Sequence, residues 1–422
     1  MPPAQPIKAA RGVRDILPAE RAAWDVAEHE ARLVARRFGY QEVVTPVIER
    51  AELVERGVGD ETDIVQKEIY RLEGKGEGGQ RLVLRPEATA GVVRAYFEAG
   101  LHHGPQPARV FLIGPMFRHD RPQAGRYREF HQFDIEAVGD GSPALDAEVI
   151  EVALGWLGAL GLGQVRTELN SIGDRKCRPA YLELLKSYYR PLKERLGPDC
   201  QRRLESSPLR LLDCKEEQCQ PFKAKAPRIT DHLCEECAAA FAEVRRLLDA
   251  AAVEYTLNPY LVRGLDYYTR TVFELKHSAL PAAQDTVCGG GRYDGLAAEL
   301  GWPDTPAVGF AAGFERVLTT IAAEGEEVVP PPPAQLLVVP DGGELSVAAA
   351  AVARAARESV PVMVDYSDRS LKAKMRAANR LGVRWVALLN AAEAQRRVVQ
   401  LREMAAGEQM EVPWSELAER LR

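Results

Sequence analysis

The residue types with the most to offer chemically fall in five short stretches of a 422-residue chain. In a strand, alternate side chains share a face, so the run from Tyr127 to Glu136 places Arg128, Phe130, Gln132, Asp134 and Glu136 together. On the preceding strand Leu112, Gly114, Met116 and Arg118 share a face and bring a second guanidinium to the strand end. A polar row with one aromatic ring in it either faces solvent or lines a site. Arg85-Pro-Glu-Ala-Thr-Ala-Gly91 sets Glu87 and Thr89 at the start of a helix, where an acid also complements the helix dipole. The run from Leu261 to Phe273 holds Arg263, Tyr267, Tyr268 and Arg270, and a break at Gly264 is needed for Arg263 and Tyr268 to face one pocket. Gly289-Gly-Gly-Arg-Tyr-Asp-Gly295 permits close backbone approach, but its spacing is not the dinucleotide-binding fingerprint.

Regular elements must hold these stretches. Pro18 to Phe38 reads as an amphipathic helix with Gly39 just past its end, and Glu42 to Pro46 as a short strand stopped by proline. Glu68 to Leu72 and Arg81 to Leu84 flank the turn-rich Gly74 to Gly79 and suggest a hairpin. Glu87 to Glu98 is a helix, Arg109 to Arg118 and Tyr127 to Val138 form a large hairpin with the basic loop His119 to Arg126, and Ser142 caps a helix reaching Leu160. Strand character returns at Leu261 to Leu275, at Val287 to Gly291 and in the strand-to-helix passage Ala307 to Arg316. After the proline run Pro330 to Pro333, a stiff spacer, come Gln335 to Val339, Pro361 to Val364 and Arg384 to Leu389, short apolar strands alternating with helices.

The region between Asn170 and Asn258 differs in character, with charged helical stretches and six of the seven cysteines. Cys214-x4-Cys219 and Cys234-x2-Cys237 have spacing compatible with zinc, the first pair being wide for a ribbon knuckle; incidental thiols on exposed helices are the alternative, and no metal site is assigned. From Asp368 to Arg384 the bases Arg369, Lys372, Lys374, Arg376, Arg380 and Arg384 meet one acid on a helical pattern, either a solvated face or an RNA-binding one. Composition is that of a globular protein, 46% hydrophobic and 27% charged, with a net charge of −6 that argues against indiscriminate nucleic-acid coating. The longest nearly uncharged apolar run, Val152 to Gly163, falls short of the ~20 residues a spanning helix requires. With no signal-like apolar run at the start, a cytoplasmic protein without a membrane partner is expected, its seven cysteines reduced thiols or metal ligands and not a disulfide framework.

Together these stretches resemble the class II aminoacyl-tRNA synthetases, and specifically the histidyl-tRNA synthetase family. Gly39 to Pro46 resembles the first class motif, Phe117 to Gln132 the second, and Gly309 to Arg316 the third. Leu261 to Arg270 and Gly289 to Gly295 resemble two stretches peculiar to the histidine enzymes. The resemblance implies an α+β catalytic domain with a mixed, mainly antiparallel sheet (1–170 and 259–325), a helical insertion (171–258), a linker (326–333) and a C-terminal α/β anticodon-binding domain (334–422). It implies a histidine-tRNA ligase: L-histidine and ATP with Mg2+ give histidyl-adenylate and pyrophosphate, and histidine then passes to tRNA(His) with release of AMP. It further implies a homodimer formed through the first motif. Carried over by position, Arg118 binds the α-phosphate, Arg316 the ATP phosphates, Arg121 the pyrophosphate or acceptor stem, and Phe130 stacks on adenine. Glu87, Thr89 and Gln132 hold the substrate ammonium, Glu136 and Tyr268 address the imidazole nitrogens with Tyr267 nearby, and Arg263 bridges the carboxylate and the α-phosphate, unless it merely pairs with an acid such as Asp266. A rival from another class is a silent relative such as the regulatory subunit of ATP phosphoribosyltransferase; that family lacks the C-terminal domain this sequence carries. A general RNA-binding module would need a broader basic surface than this net charge suggests.

Overall fold

Alternation along Glu129–Val138 sends Phe133, Ile135 and Ala137 to one side and Gln132, Asp134 and Glu136 to the other, and this strand stands near the middle of the main sheet. The computed structural model describes residues 6–59, 62–73, 79–121, 125–281, 285–325 and 331–422, in two compact units, Met1–Val328 and Val329–Arg422. Residues 74–78 of the expected hairpin turn, 122–124 of the basic loop and 326–330 of the linker lie outside the described residues. In the first unit eight strands lie in the order Gln41–Glu42, Ala108–Phe117, Glu129–Val138, Ala307–Gly313, Thr286–Arg292, Thr269–His277, Val165–Ser171 and Tyr255–Leu257. The two outermost pairings are parallel and the rest antiparallel, the mixed, mainly antiparallel sheet expected.

The two faces of this sheet have opposite characters. One is packed with Phe111, Phe133, Phe273 and Phe310 against Trp24 of the helix Pro18–Arg37, Trp156 of Pro143–Ala159 and Phe314 of Phe314–Ala323. Ser142 caps Pro143–Ala159 by accepting from Ala144 N at 3.3 Å, and Trp156 donates Nε1 to the Ala27 carbonyl at 3.0 Å. On the other face, Gln132, Asp134 and Glu136 stand opposite Gly313, Ala311 and Gly309, whose side chains take almost no space. The cavity is therefore carved out by small residues.

Three expected elements differ. Leu261 to Leu275 is not one strand: the strand is Thr269–His277, and the residues before it are irregular, with the Leu261 carbonyl held by Asn170 Nδ2 at 2.9 Å and Leu261 and Val262 packed among the helical segment's apolar residues. The hairpin of Glu68 to Leu72 with Arg81 to Leu84 is shorter than expected: Ile64–Glu68 is a π-helical turn, and the pairing is an Arg71–Val83 bridge flanked by Leu72 N donating to the Leu82 carbonyl and Leu84 N to the Tyr70 carbonyl, both at 3.0 Å. The helix Glu235–Ala250, expected within the insertion, puts Phe241, Val244 and Leu248 into the core beneath the main sheet, because its one apolar stripe packs on Pro143–Ala159, a helix apolar nearly all round.

The second unit holds five strands in the order Val362–Val364, Leu336–Pro340, Trp385–Leu389, Val398–Glu403 and Gln409–Pro413, the first three parallel and the last two an antiparallel addition that the sequence reading lacked. The basic helix is Leu371–Leu381. It holds four of the six bases of the run, Lys372, Lys374, Arg376 and Arg380, and three of the six are engaged within the fold instead of lying on one open basic face. Lys374 is buried and donates to the Pro340 carbonyl at 2.8 Å, Arg369 pairs with Asp365 at 2.9 Å and Arg384 with Glu403 at 3.2 Å. Lys372, Arg376 and Arg380 are exposed.

Arg292, inside the glycine-rich stretch, is a structural residue. Only 1% exposed, it donates Nε to Asp146 Oδ1 at 2.9 Å and Nη2 to the Ser142 carbonyl at 2.9 Å, tying its strand to the cap of Pro143–Ala159. Removing one partner of a buried, hydrogen-bonded ion pair leaves an uncompensated charge. Asp146→Ala is expected to destabilise the first unit by about 3–5 kcal/mol in urea unfolding of the full chain, and Asp146→Leu with Arg292→Met to recover most of that loss.

Candidate active site

A cavity of about 480 Å³ opens over the small-residue face. Glu87, Thr89, Arg118, Phe130, Gln132, Glu136, Arg263, Tyr267, Tyr268 and Arg316 all line it. Arg121 does not: it is exposed beside residues 122–124, its backbone N–H donating to Asp120 Oδ1 at 2.6 Å.

One part of the cavity is lined with acids. Glu87 accepts from Thr89 N at 2.8 Å and Ala90 N at 3.1 Å, the free N–H groups at the start of the helix Thr89–Glu98. Thr89 Oγ1 donates to Glu136 Oε1 at 2.7 Å, and the Tyr293 hydroxyl donates to Glu136 Oε2. Burial pushes the Glu136 carboxyl up to about 8, against the pull of the Tyr293 and Thr89 hydrogen bonds and with help from the neighbouring Glu87. Asp134 is raised by burial and then by Glu136 and Glu87. Two acceptors in this row, Gln132 Oε1 and Asp134 Oδ2, are buried with no hydrogen-bond partner. Unmet buried acceptors beside three carboxyl groups suit a cationic amine.

Guanidinium groups gather in the rest of the cavity. Arg118 donates Nε to the Pro86 carbonyl at 2.8 Å and lies 5.3 Å from the centre of the Phe130 ring. Arg316 donates Nη1 to the Thr286 carbonyl at 2.8 Å. Burial depresses both, and for Arg316 the cations Arg126, Arg118 and Arg263 depress it further, with Glu274 opposing them. Arg263 pairs through Nη1 with Glu274 and not with Asp266, and its Nε is buried without a partner. Glu274 raises the Arg263 guanidinium against the cost of burial. Gly289 makes this possible: a Cβ there would run into the guanidinium, and one at Gly309 would run into the Glu136 carboxylate. Tyr268 is pushed up to about 12 by burial, and its ring centre lies 4.7 Å from that of Tyr267.

Sequence reasoning did not assign Asp134, Glu274, Tyr293 or Arg126. Asp134 was on the polar face already counted, and Tyr293 and Arg126 sit in the quoted glycine-rich and loop stretches. Glu274 becomes visible only with the sheet register, which places it opposite Gly289, under Arg263.

The mixed, mainly antiparallel sheet and the separate C-terminal unit agree with the class II aminoacyl-tRNA synthetase fold that the sequence resemblance implies, and comparison with known proteins shows it. A sequence profile described as histidyl-tRNA synthetase matches residues 12–173 and 205–317, and one described as anticodon binding domain matches residues 335–422. The chain is 47% identical over 418 residues to a histidine-tRNA ligase of Desulforudis audaxviator, covering 99% of this chain and 98% of that one, and 45% identical over 411 residues to one of Geobacillus kaustophilus, covering 97% and 96%. The crystal structure of apo S. aureus histidyl-tRNA synthetase superimposes with a TM-score of 0.81 at 33% identity, covering 98% of this chain and 99% of that one. The chain belongs to the histidyl-tRNA synthetase family.

The raised Glu136 carboxyl has a consequence for stability. With a value of 4.5 in the unfolded chain and about 8 in the fold, its bound proton favours the ligand-free fold below pH 4.5, and that contribution is lost as pH rises to about 8. Glu136→Gln carries no such proton. Its melting temperature should gain on that of the parent between pH 5 and 8, by several degrees at pH 8, with a constant gap above pH 9. A gap independent of pH would remove Glu136 as the titrating group.

Proposed function

We propose that the cavity joins L-histidine to ATP, forming histidyl-adenylate and pyrophosphate, and then passes histidine to the terminal adenosine of tRNA(His) with release of AMP. The observation that carries this reading is the pattern of unmet buried groups: acceptors on Gln132 and Asp134, a donor on Arg263 Nε, and a cluster of guanidinium groups. An amino acid supplies an ammonium to the first and a carboxylate to the second, and a triphosphate answers the cluster.

Glu87, Gln132 and Asp134, with Thr89, receive the ammonium. Glu136 keeps lone pairs beyond those used by Thr89 and Tyr293 and accepts an imidazole N–H, while the Tyr268 hydroxyl addresses the other ring nitrogen and Tyr267 packs beside it. Phe130 stacks adenine on the face away from Arg118, Arg118 binds the α-phosphate and Arg316 the outer phosphates. In activation, a carboxylate oxygen of histidine bonds to the α-phosphorus and the bond to pyrophosphate breaks. Two anions must meet, and Arg263, steadied by Glu274 and lying over Gly289, offers N–H groups to both. Mg2+ enters with ATP as part of the substrate. Arg121 is assigned to the acceptor stem, Lys372, Arg376 and Arg380 to tRNA phosphates, and residues 334–422 to anticodon binding. Val44 and Ile48, exposed in and beside the first motif, support a homodimer. Cytoplasmic location is supported by seven free thiols; no described helix is long and apolar enough to cross a membrane.

Exchange of pyrophosphate into ATP should require histidine; equal exchange with proline or threonine, or none with histidine, defeats the proposal. In the same assay Arg263→Ala should slow activation by about 10²–10³ with histidine and ATP binding changed only modestly, and Arg263→Lys should restore little, since lysine keeps the charge without the fork. A normal rate in the folded Arg263→Ala variant excludes the assigned role.

Removing residues 334–422 should impair tRNA charging far more than adenylate formation, with dimerisation checked by sedimentation. Charging that survives while activation fails would reverse the domain assignment.

A further inference from the structure

The cysteine pairs noted in the sequence do not converge on one another. Cys214 and Cys219 group with Cys200, whereas Cys234 and Cys237 group with Cys177 and Asp174. In the second group the four ligand atoms all lie within 4.8 Å of one another. A tetrahedron with Zn–S bonds of about 2.3 Å has S···S edges of about 3.8 Å, so closure on an ion needs movements of about 1 Å.

We propose that Asp174, Cys177, Cys234 and Cys237 form a structural zinc site that joins the two ends of the helical segment and steadies the backbone of Tyr268. The ligands come as two pairs spaced i, i+3, Asp174 with Cys177 and Cys234 with Cys237, on segments far apart in sequence. Cys177 immediately precedes the helix Arg178–Tyr189 and Cys234 the helix Glu235–Ala250, so two helix N-termini favour thiolate at the same place. The backbone is folded tightly around the sulfur: Gly173 has φ +63°, and a Cβ there would lie 2.7 Å from Cys177 Sγ. Three thiols and one carboxylate form a tetrahedral donor set suited to zinc, whereas calcium and magnesium demand oxygen ligands.

The surroundings are those of a metal site's outer shell. Asp174 Oδ1 accepts from Lys176 N at 2.9 Å, and Oδ2 from Arg270 Nη2 at 3.3 Å. Lys176 pairs with Glu236 at 2.5 Å, linking the two ligand loops. Three thiolates and a carboxylate around Zn2+ leave excess negative charge, which Arg270 and Arg178 are placed to balance. Arg178, the residue after Cys177, donates to the carbonyls of Ile172, Gly173 and Tyr268 at 3.1, 2.9 and 2.7 Å. The cluster thereby connects to the cavity through one side chain, and that connection alone rests on the function proposed above. Cys200, Cys214 and Cys219 have no fourth ligand of these types among the described residues.

The test uses the full-length protein, prepared under reducing conditions, loaded with zinc and dialysed. Mass-spectrometric metal analysis should find a zinc ion that Cys177→Ser and Cys237→Ser each reduce at least tenfold and that Cys200→Ser leaves in place. Cobalt in place of zinc should give the visible spectrum of a tetrahedral thiolate site. Asp174→Cys should hold zinc more tightly and intensify the thiolate-to-cobalt band, a response that folding alone does not produce and that remains readable if the serine variants fold poorly. Metal loss should raise KM for histidine several-fold with KM for ATP little changed. Less than about a tenth of an ion per parent chain, loss of the ion in Cys200→Ser instead, or a disulfide among Cys177, Cys234 and Cys237 in the reduced preparation would overturn the proposal.

Discussion

A buried cavity that holds like charges together, over a sheet face on which glycine and alanine stand opposite a polar row, is the constraint on which the rest of the first unit depends. Burial raises the carboxyls of Glu87, Asp134 and Glu136, with Glu136 and Glu87 raising Asp134 further and Glu87 raising Glu136, while burial and then Arg126, Arg118 and Arg263 depress Arg316. Neither arrangement is favourable without ligands, because burial removes water and proximity adds repulsion. It survives because each group is tied by contacts made elsewhere: Glu87 by a helix N-terminus, Arg118 by the Pro86 carbonyl, Arg316 by the Thr286 carbonyl, and Arg263 by Glu274. The opposing aromatic face supplies apolar burial to hold the sheet in a register that a one-residue slip would invert.

Glycine serves two separate purposes in this sheet. At Gly289 and Gly309 it leaves room for the Arg263 guanidinium and the Glu136 carboxylate against the strands. At Gly290, on the opposite side, a Cβ would meet Phe310 and Phe273, so its absence permits tight core packing. The residues after it divide the same way, Arg292 into a buried ion pair with Asp146 and Tyr293 onto Glu136. One stretch of seven residues, Gly289 to Gly295, thus carries close approach, fold stability and a site hydrogen bond, which is why its spacing fits no simple ligand-binding fingerprint.

Much of this was legible in the sequence because strand alternation is local. Counting by twos along Tyr127 to Glu136 already separates Phe133 and Ile135 from Gln132, Asp134 and Glu136. Long-range partners are not local, and there the reading stopped. Glu274 is eleven residues from Arg263 and meets it only because the chain between them breaks strand geometry before Thr269. Lys374 belongs by spacing to a basic face, yet its stem is buried and its ammonium is satisfied by a carbonyl of a different element. The cysteines show the same limit: adjacency in sequence pairs Cys214 with Cys219 correctly, but which further ligands join each pair depends on how the helical segment closes on itself.

The energetic logic of the cavity also locates its selectivity. Under the proposed assignment, any amino acid brings an ammonium for Gln132 Oε1 and Asp134 Oδ2 and a carboxylate for Arg263, so these groups distinguish an amino acid from other ligands without choosing among side chains. In the proposed function, choice falls to Glu136, whose carboxyl is raised by burial and whose two oxygens already take one hydroxyl each. A side chain with an N–H directed at that carboxyl lowers the cost of ionising it; an apolar side chain of similar size strips its remaining water and returns nothing. Because leaving a buried polar group unmet costs far more than misfitting a methylene, the proposed role of this one carboxyl, held by Thr89 and Tyr293, accounts for rejection of the small apolar amino acids at the binding step.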